Sequence, residues 1–199
     1  DGLRAEFEKI RGMAGNARRL AEFHERLAAI RVLDPACGCG NFLVVAYREL
    51  RLLELELLRR QFARRQSVLA HVQDHVLVDV DQFHGIEIEE FPAQIAQVAM
   101  WLMDHQMNLR VAEQFGENVV RLPLKKSAAI VHGNALHIDW NEVVPAADLE
   151  YILGNPPFVG SKMMTPAQRQ DLLAIAGPLK GAGVLDFVSA WYLKAAAFI

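Results

Sequence analysis

Six consecutive residues, Leu153-Gly154-Asn155-Pro156-Pro157-Phe158, place a carboxamide, a backbone carbonyl and an aromatic ring on one short segment. The two prolines remove two backbone donors and hold the chain extended, which fixes the Asn155 carboxamide and the Phe158 ring in space. Such a loop suits a planar ligand carrying an amino group. A proline pair alone is equally an ordinary stiff loop, so the other motifs must decide between the two.

The second chemically loaded segment is Asp34-Pro35-Ala36-Cys37-Gly38-Cys39-Gly40-Asn41-Phe42. Gly38 and Gly40 let the backbone approach a ligand, and the free amides at the start of the following helix attract a negative group. Asp34 adds a carboxylate that can meet a cationic amino group. A nucleotide-type cofactor follows. No Gly-Lys-Ser/Thr ends the turn, which excludes a Walker A loop, and the third glycine of the dinucleotide fingerprint is absent. Glu87 stands where doubly wound folds hold ribose hydroxyls, yet it lies 47 residues after Gly40, against roughly 20 in dinucleotide-binding proteins. That spacing argues against NAD. Asn134 offers the donor and acceptor needed to read an adenine edge, or is simply a turn residue.

These residues need a scaffold, and the pattern supplies one. Apolar residues at helical spacing from Leu3 to Leu27 predict one long or two shorter amphipathic helices, with His24 at the core edge. Ile30–Leu33 is a short β-type run, followed by the glycine turn and a helical pattern from Phe42 to about Gln66. The charges Arg48, Glu49, Arg51, Glu54, Glu56, Arg59 and Arg60 on that helix are expected on a solvated side. Phe83–Ile88 is a second strand ending in an acid, then a helix with Pro92 in its first turn and Met100, Met103 and Met107 as core filler. Residues 108–127 read as a connection and Ala128–His132 as a third strand. Leu149–Leu153 forms a fourth, buried strand, whose carboxyl end carries the Asn-Pro-Pro-Phe loop. Thr165-Pro166-Ala167-Gln168 caps a helix ending at Gly177, and a last helix starts near Val184. Alternation of strands and helices predicts an α/β fold with a mainly parallel, doubly wound sheet.

The 199 residues, 52% hydrophobic, suffice for one globular domain. No apolar run approaches the roughly 18 residues of a membrane span, and no signal-peptide pattern begins the chain, so a cytoplasmic protein is expected. Asp1 at the start and the apolar Ala195–Ile199 at the end suggest an excised piece of something longer. Cys37 and Cys39 read as packed thiols of a reducing compartment, too few for a zinc site. His71 and His75 share a helix face, but without a Glu in the zincin arrangement or a cysteine nearby they read as solvated, and no metal site is expected. Net charge is −3, and Arg110 is the only Lys or Arg between Ser67 and Val120. No basic face marks a self-sufficient nucleic-acid binder, so affinity for DNA would come mostly from parts outside this chain.

Taken together and in order, Asp34–Phe42, Gly85-Ile86-Glu87, Gly133-Asn134-Ala135-Leu136 and Asn155–Phe158 resemble the class I S-adenosylmethionine-dependent DNA adenine methyltransferases of the gamma type. The text around them, including Glu87–Pro92, Trp101–Met107 and Pro157–Met164, is similar to the MmeI-like restriction-modification branch. In that branch a nuclease, a methyltransferase and a target recognition domain commonly share one polypeptide. The resemblance implies a Rossmann-like methyltransferase domain over 30–199, truncated before its last strands, behind a helical extension over 1–29. It implies that Asp34, Pro35, Ala36, Cys37, Gly38, Gly40, Asn41 and Phe42 hold the amino-acid end of S-adenosyl-L-methionine, Glu87 with Ile88 its ribose side, and Asn134 with Ala135 its adenine. Asn155 and the Pro156 carbonyl would then bind the amino group of an adenine flipped out of double-stranded DNA, with Pro157 stiffening the loop and Phe158 stacking on the base. Cys39 stands where the family usually has Ser and Asn134 where Asp is common. The aromatic-Thr-Pro motif of the gamma order is not visible before Asp34.

The reaction implied is direct methyl transfer to the adenine amino nitrogen, with neither cysteine as nucleophile. Two rivals remain. One is a methyltransferase acting on another amino group, in DNA cytosine, RNA guanine or protein glutamine. The other is a non-catalytic cofactor-binding module of a restriction or phage-defence complex.

Overall fold

The computed structural model describes residues 2–62, 72, 74–115, 127–177 and 179–199. Four strands form one parallel sheet: β1 (Val32–Asp34), β2 (Phe83–Glu87), β3 (Ala129–His132) and β4 (Tyr151–Ile152), in the order β3-β2-β1-β4. The central β1 is buried throughout and pairs Val32 with Phe83 on one side and with Tyr151 on the other. Continuous apolar character in such a strand follows from cover on both faces. The order runs one way from β1 to β3 and the other way from β1 to β4. The chain therefore reverses between β1 and β4, and a crevice opens beyond their carboxyl ends.

Among the described residues six helices cover the sheet: α1 (Gly2–Arg11), α2 (Ala17–Ala29), α3 (Asn41–Phe62), α4 (Glu90–Phe115), α5 (Pro166–Ala176) and α6 (Ser189–Phe198). Val32, Phe83 and Ile130 face one core with α1 to α4, whereas Leu33 and Ile86 face the other with α5 and α6. This alternation gives the three-layer, doubly wound arrangement that the sequence predicts. Phe7, Phe23 and Leu27 belong to the first core, so α1 and α2 pack into the same interior as β1 and β2. Asn16 turns the chain between these helices by donating to the carbonyls of Ile10 and Arg11. Gln82 donates to the carbonyls of Leu27 and Ile30 at the end of α2.

The polar face of α3 departs from expectation. Arg51 and Glu54 are each only 1% exposed. Glu54 Oε1 accepts from the backbone N–H groups of Leu77 and Val78 and pairs with His24 Nε2 at 2.9 Å. Arg51 donates to the Val78 carbonyl and to Asn108, which donates to Asp104, and Asp104 also accepts from the Tyr47 hydroxyl. These charges are tolerated inside because each meets a partner from α2, α4 or the 76–78 segment. His24 is likewise buried rather than at the edge of the core.

Other boundaries shift for local reasons. α4 runs to Phe115, so 108–115 is helix and not connection; residues 116–126 lie outside those described. α3 reaches Phe62, and the expected continuation to Gln66 lies outside the described residues, as does His71. His75 is exposed with its ring against Phe62, and no cluster of metal-ligating side chains occurs among the described residues. α6 starts at Ser189 rather than near Val184, because Ala182–Val184 forms a separate 3₁₀ turn after Gly181. The fourth strand is regular only at Tyr151–Ile152 and lies at the sheet edge with Tyr151 exposed, which corrects the expected buried strand. Among the described residues its outer edge has no strand partner. Apolar grooves of about 430 and 350 Å³ run along its two faces. No described helix is long and apolar enough to cross a membrane.

Candidate active site

The two motifs singled out in the sequence meet at the reversal point of the sheet. The Asp34 side chain is fully buried, and its Oδ1 accepts from the Ala36 N–H at 3.0 Å. A methyl group on Gly154 would lie 2.5 Å from the same oxygen. Only glycine lets the loop after β4 press its backbone against this carboxylate. Leu153 N–H donates to the Leu33 carbonyl, which ties that loop to β1.

Around the turn, Cys37 N–H donates to the Ile86 carbonyl and Gly40 N–H to the Cys37 carbonyl. Gly38 adopts φ +52°, and a Cβ there would meet no atom within 4 Å among the described residues. A glycine in a left-handed conformation beside open space leaves room for a ligand to reach the backbone. Glu87 Oε2 accepts from the Gly38 N–H at 2.8 Å and Oε1 from the Glu89 N–H at 3.0 Å. The acid at the end of β2 therefore braces the glycine turn, with one lone pair left on each oxygen. Asn41 and Phe42 open α3 beside this turn, both exposed, and Ile88 is exposed just past Glu87.

Burial is the main cause of the electrostatics. It pushes the Asp34 carboxyl up to about 6; the Ala36 N–H opposes the shift and the Glu87 charge adds to it. Asp34 Oδ2 is buried with no hydrogen-bond partner among the described residues. An unsatisfied carboxylate oxygen next to an open glycine turn is an acceptor that a ligand's ammonium group would satisfy. Burial also pushes the Cys37 thiol up to about 12, so it is a neutral packed thiol. Cys39, expected to be packed, is exposed, because Gly38 and Gly40 turn the chain outward on either side of it.

Asn134 shows a turn role directly. Its Oδ1 accepts from the Leu136 N–H at 2.9 Å and its Nδ2 donates to Asp171 on α5 at 3.1 Å. The neighbouring Ala135 is buried. In the loop after β4, Pro156 is buried, while Asn155, Pro157 and Phe158 are exposed, the last by 72%. The loop thus fixes its backbone inward and presents the carboxamide and the ring outward.

Two anchoring side chains escaped the sequence reading. Trp191 Nε1 on α6 donates to the Pro35 carbonyl at 3.1 Å, and Lys194 Nζ one turn later donates to the carbonyls of Ala135, Leu136 and Ile138. A lone cation in the apolar run Ala190–Phe198 was the available signal. Arg169 on α5 likewise donates to the carbonyls of Ser161 and Gly183.

A doubly wound parallel sheet with this glycine turn, acid and Asn-Pro-Pro-Phe loop at its carboxyl edge defines a Rossmann-like methyltransferase domain. Residues 10–199 match the family described as MmeI, DNA-methyltransferase domain, and the chain belongs to that family. It is 53% identical to the type IIL restriction-modification enzyme MmeI, solved in complex with DNA, with a TM-score of 0.93 over all of this chain and 26% of that one. It is also 38% identical over 184 residues to DNA methyltransferase A of Bacillus subtilis, covering 90% of this chain and 20% of the relative. The chain therefore spans about a quarter or less of the relatives it matches.

Proposed function

We propose that this chain is the catalytic domain of a restriction-modification enzyme that transfers a methyl group from S-adenosyl-L-methionine to the exocyclic amino nitrogen, N6, of adenine in double-stranded DNA. One observation carries the reading: the Gly154 backbone lies against the Asp34 carboxylate, so the cofactor-type turn and the Asn-Pro-Pro-Phe loop form one site. MmeI was solved with DNA bound, which supports DNA as the substrate polymer here.

The residues fit the cofactor. The unpartnered Asp34 Oδ2 and the open backbone at Gly38 suit its ammonium and carboxylate, the spare lone pairs of Glu87 suit ribose hydroxyls, and Asn134 with Ala135 would read the adenine edge. When bound, S-adenosylmethionine supplies an electrophilic methyl group. The protein's part is orientation and electrostatics. Asn155 Oδ1 and the Pro156 carbonyl would accept both hydrogens of the target amine, favouring the pyramidal nitrogen whose lone pair is free of the ring. Phe158, already exposed, would stack on the extruded base and offset part of the few kcal/mol that flipping costs. Burial keeps Cys37 protonated, so it is not a nucleophile at neutral pH.

Flipped-base delivery, a target recognition domain and a nuclease belong to the longer polypeptide in this reading. The test is Asn155→Ala in the full-length enzyme, with mass spectrometry of digested DNA. Wild type should yield N6-methyladenine; the variant should lose turnover by about a hundredfold or more while calorimetry shows unchanged cofactor binding. Methylcytosine as the product, or methylated RNA or protein instead of DNA, would identify a different amino-group substrate. Absence of cofactor binding by a folded wild type would favour a non-catalytic module of a defence complex.

A further inference from the structure

Asn134 sits between two groups with opposite demands. On one side the Leu136 N–H can only donate, and it meets Oδ1 at 2.9 Å. On the other the Asp171 carboxylate, when ionised, can only accept, and its Oδ2 meets Nδ2 at 3.1 Å. A carboxamide satisfies both in a single orientation. A carboxylate at 134 would face a second carboxylate at hydrogen-bond distance, which is strongly unfavourable. The other Asp171 oxygen is occupied by His137 Nε2 at 2.8 Å, and the Asp171 side chain is only 17% exposed, so it is held in place.

We propose that Asp171 is a positioning residue for the cofactor: it locks the Asn134 carboxamide with its oxygen toward the turn, leaving one lone pair of Oδ1 for an amino group on the bound adenine. The proposal rests on the reading of Asn134 as an adenine contact. Since α5 follows the Asn-Pro-Pro-Phe loop in the chain, the residue that sets the adenine end of one ligand belongs to the segment that presents the other. Arg169, two residues earlier on α5, holds the intervening loop through the Ser161 carbonyl.

The experiment is a swap in the full-length enzyme, reading S-adenosylmethionine binding by calorimetry and single-turnover methylation at saturating cofactor. D171L leaves the Asn134 amide without its acceptor, and N134D sets an acceptor against an acceptor; each should weaken cofactor binding by about tenfold, the scale of a charge-assisted hydrogen bond. For D171L the methylation rate at saturating cofactor should stay within about twofold of wild type, since orientation of the target base is untouched. The double variant N134D/D171N restores one donor facing one acceptor, and binding should return to within about threefold of wild type. Wild-type binding by D171L, or a double variant no better than the singles, would overturn the proposal. Should the single variants fold poorly, recovery of both folding and cofactor binding in the double variant still supports it, and recovery of folding alone overturns it. A folded wild type that binds no S-adenosylmethionine would instead remove the cofactor reading beneath it.

Discussion

Asp34 carries the largest electrostatic consequence at the scale of a single residue. With its carboxyl raised from 3.8 to about 6, the folded ligand-free protein binds this proton more tightly than the unfolded chain. The charged form costs stability above about pH 6, and that cost is relieved as pH falls from about 6 toward 4. Thermal melts of wild type and D34N across pH 5 to 7.5 should show wild type gaining on the variant as pH falls, by about 1–3 kcal/mol in total. Cofactor binding should run the other way: an ammonium partner favours the carboxylate, so affinity should drop below about pH 6 in wild type and be weak and flatter with pH in D34N. Calorimetry over the same range checks it. The importance of Asp34 was legible in the sequence from its place before a glycine turn. Its close approach to Gly154 was not, because 120 residues of chain separate them and only the strand order brings them together.

At the scale of elements, α3 shows what a one-dimensional pattern leaves out. Arg51 and Glu54 look like ordinary surface charges, since nothing in their neighbourhood announces that the Leu77 and Val78 amides will arrive from outside the helix. Burial turned them from a solvated stripe into the joint between α2, α3 and α4. Glu54→Ala would leave two backbone donors and His24 without their acceptor and Arg51 without its carboxylate partner. It should destabilise the domain by about 3–5 kcal/mol, seen as a fall in Tm on the order of 10 °C. By contrast, α5 was readable almost to its ends. Thr165 and Gln168 form the reciprocal cap that their spacing announces, with Pro166 opening the helix. Local hydrogen bonds leave a local signature, and long-range ones do not.

At the scale of the molecule, the alternation of strands and helices announced the doubly wound class. The position of β4 was harder to read. Its residues look like a core strand, yet among the described residues it pairs only with β1, and the grooves beside it leave Tyr151 exposed. The second layer supplies the strongest whole-molecule prediction. Lys194 collects three carbonyls from the segment after β3, and burial lowers its pKa against the nearby Asp139 charge. Lys194→Met keeps the length of the stem but leaves those carbonyls without their donor. It should lower Tm and weaken S-adenosylmethionine binding together, whereas Asn155→Ala should do neither; melts and calorimetry on both variants separate the two behaviours.

Trp191 and Lys194 lie one turn apart on α6, one gripping the segment after β1 and the other the segment after β3. The gap between the two ends of any molecule lying across those segments is thereby gauged by a single helical turn. Inserting or deleting a residue between Trp191 and Lys194 would leave both side chains chemically intact yet turn their grips out of step.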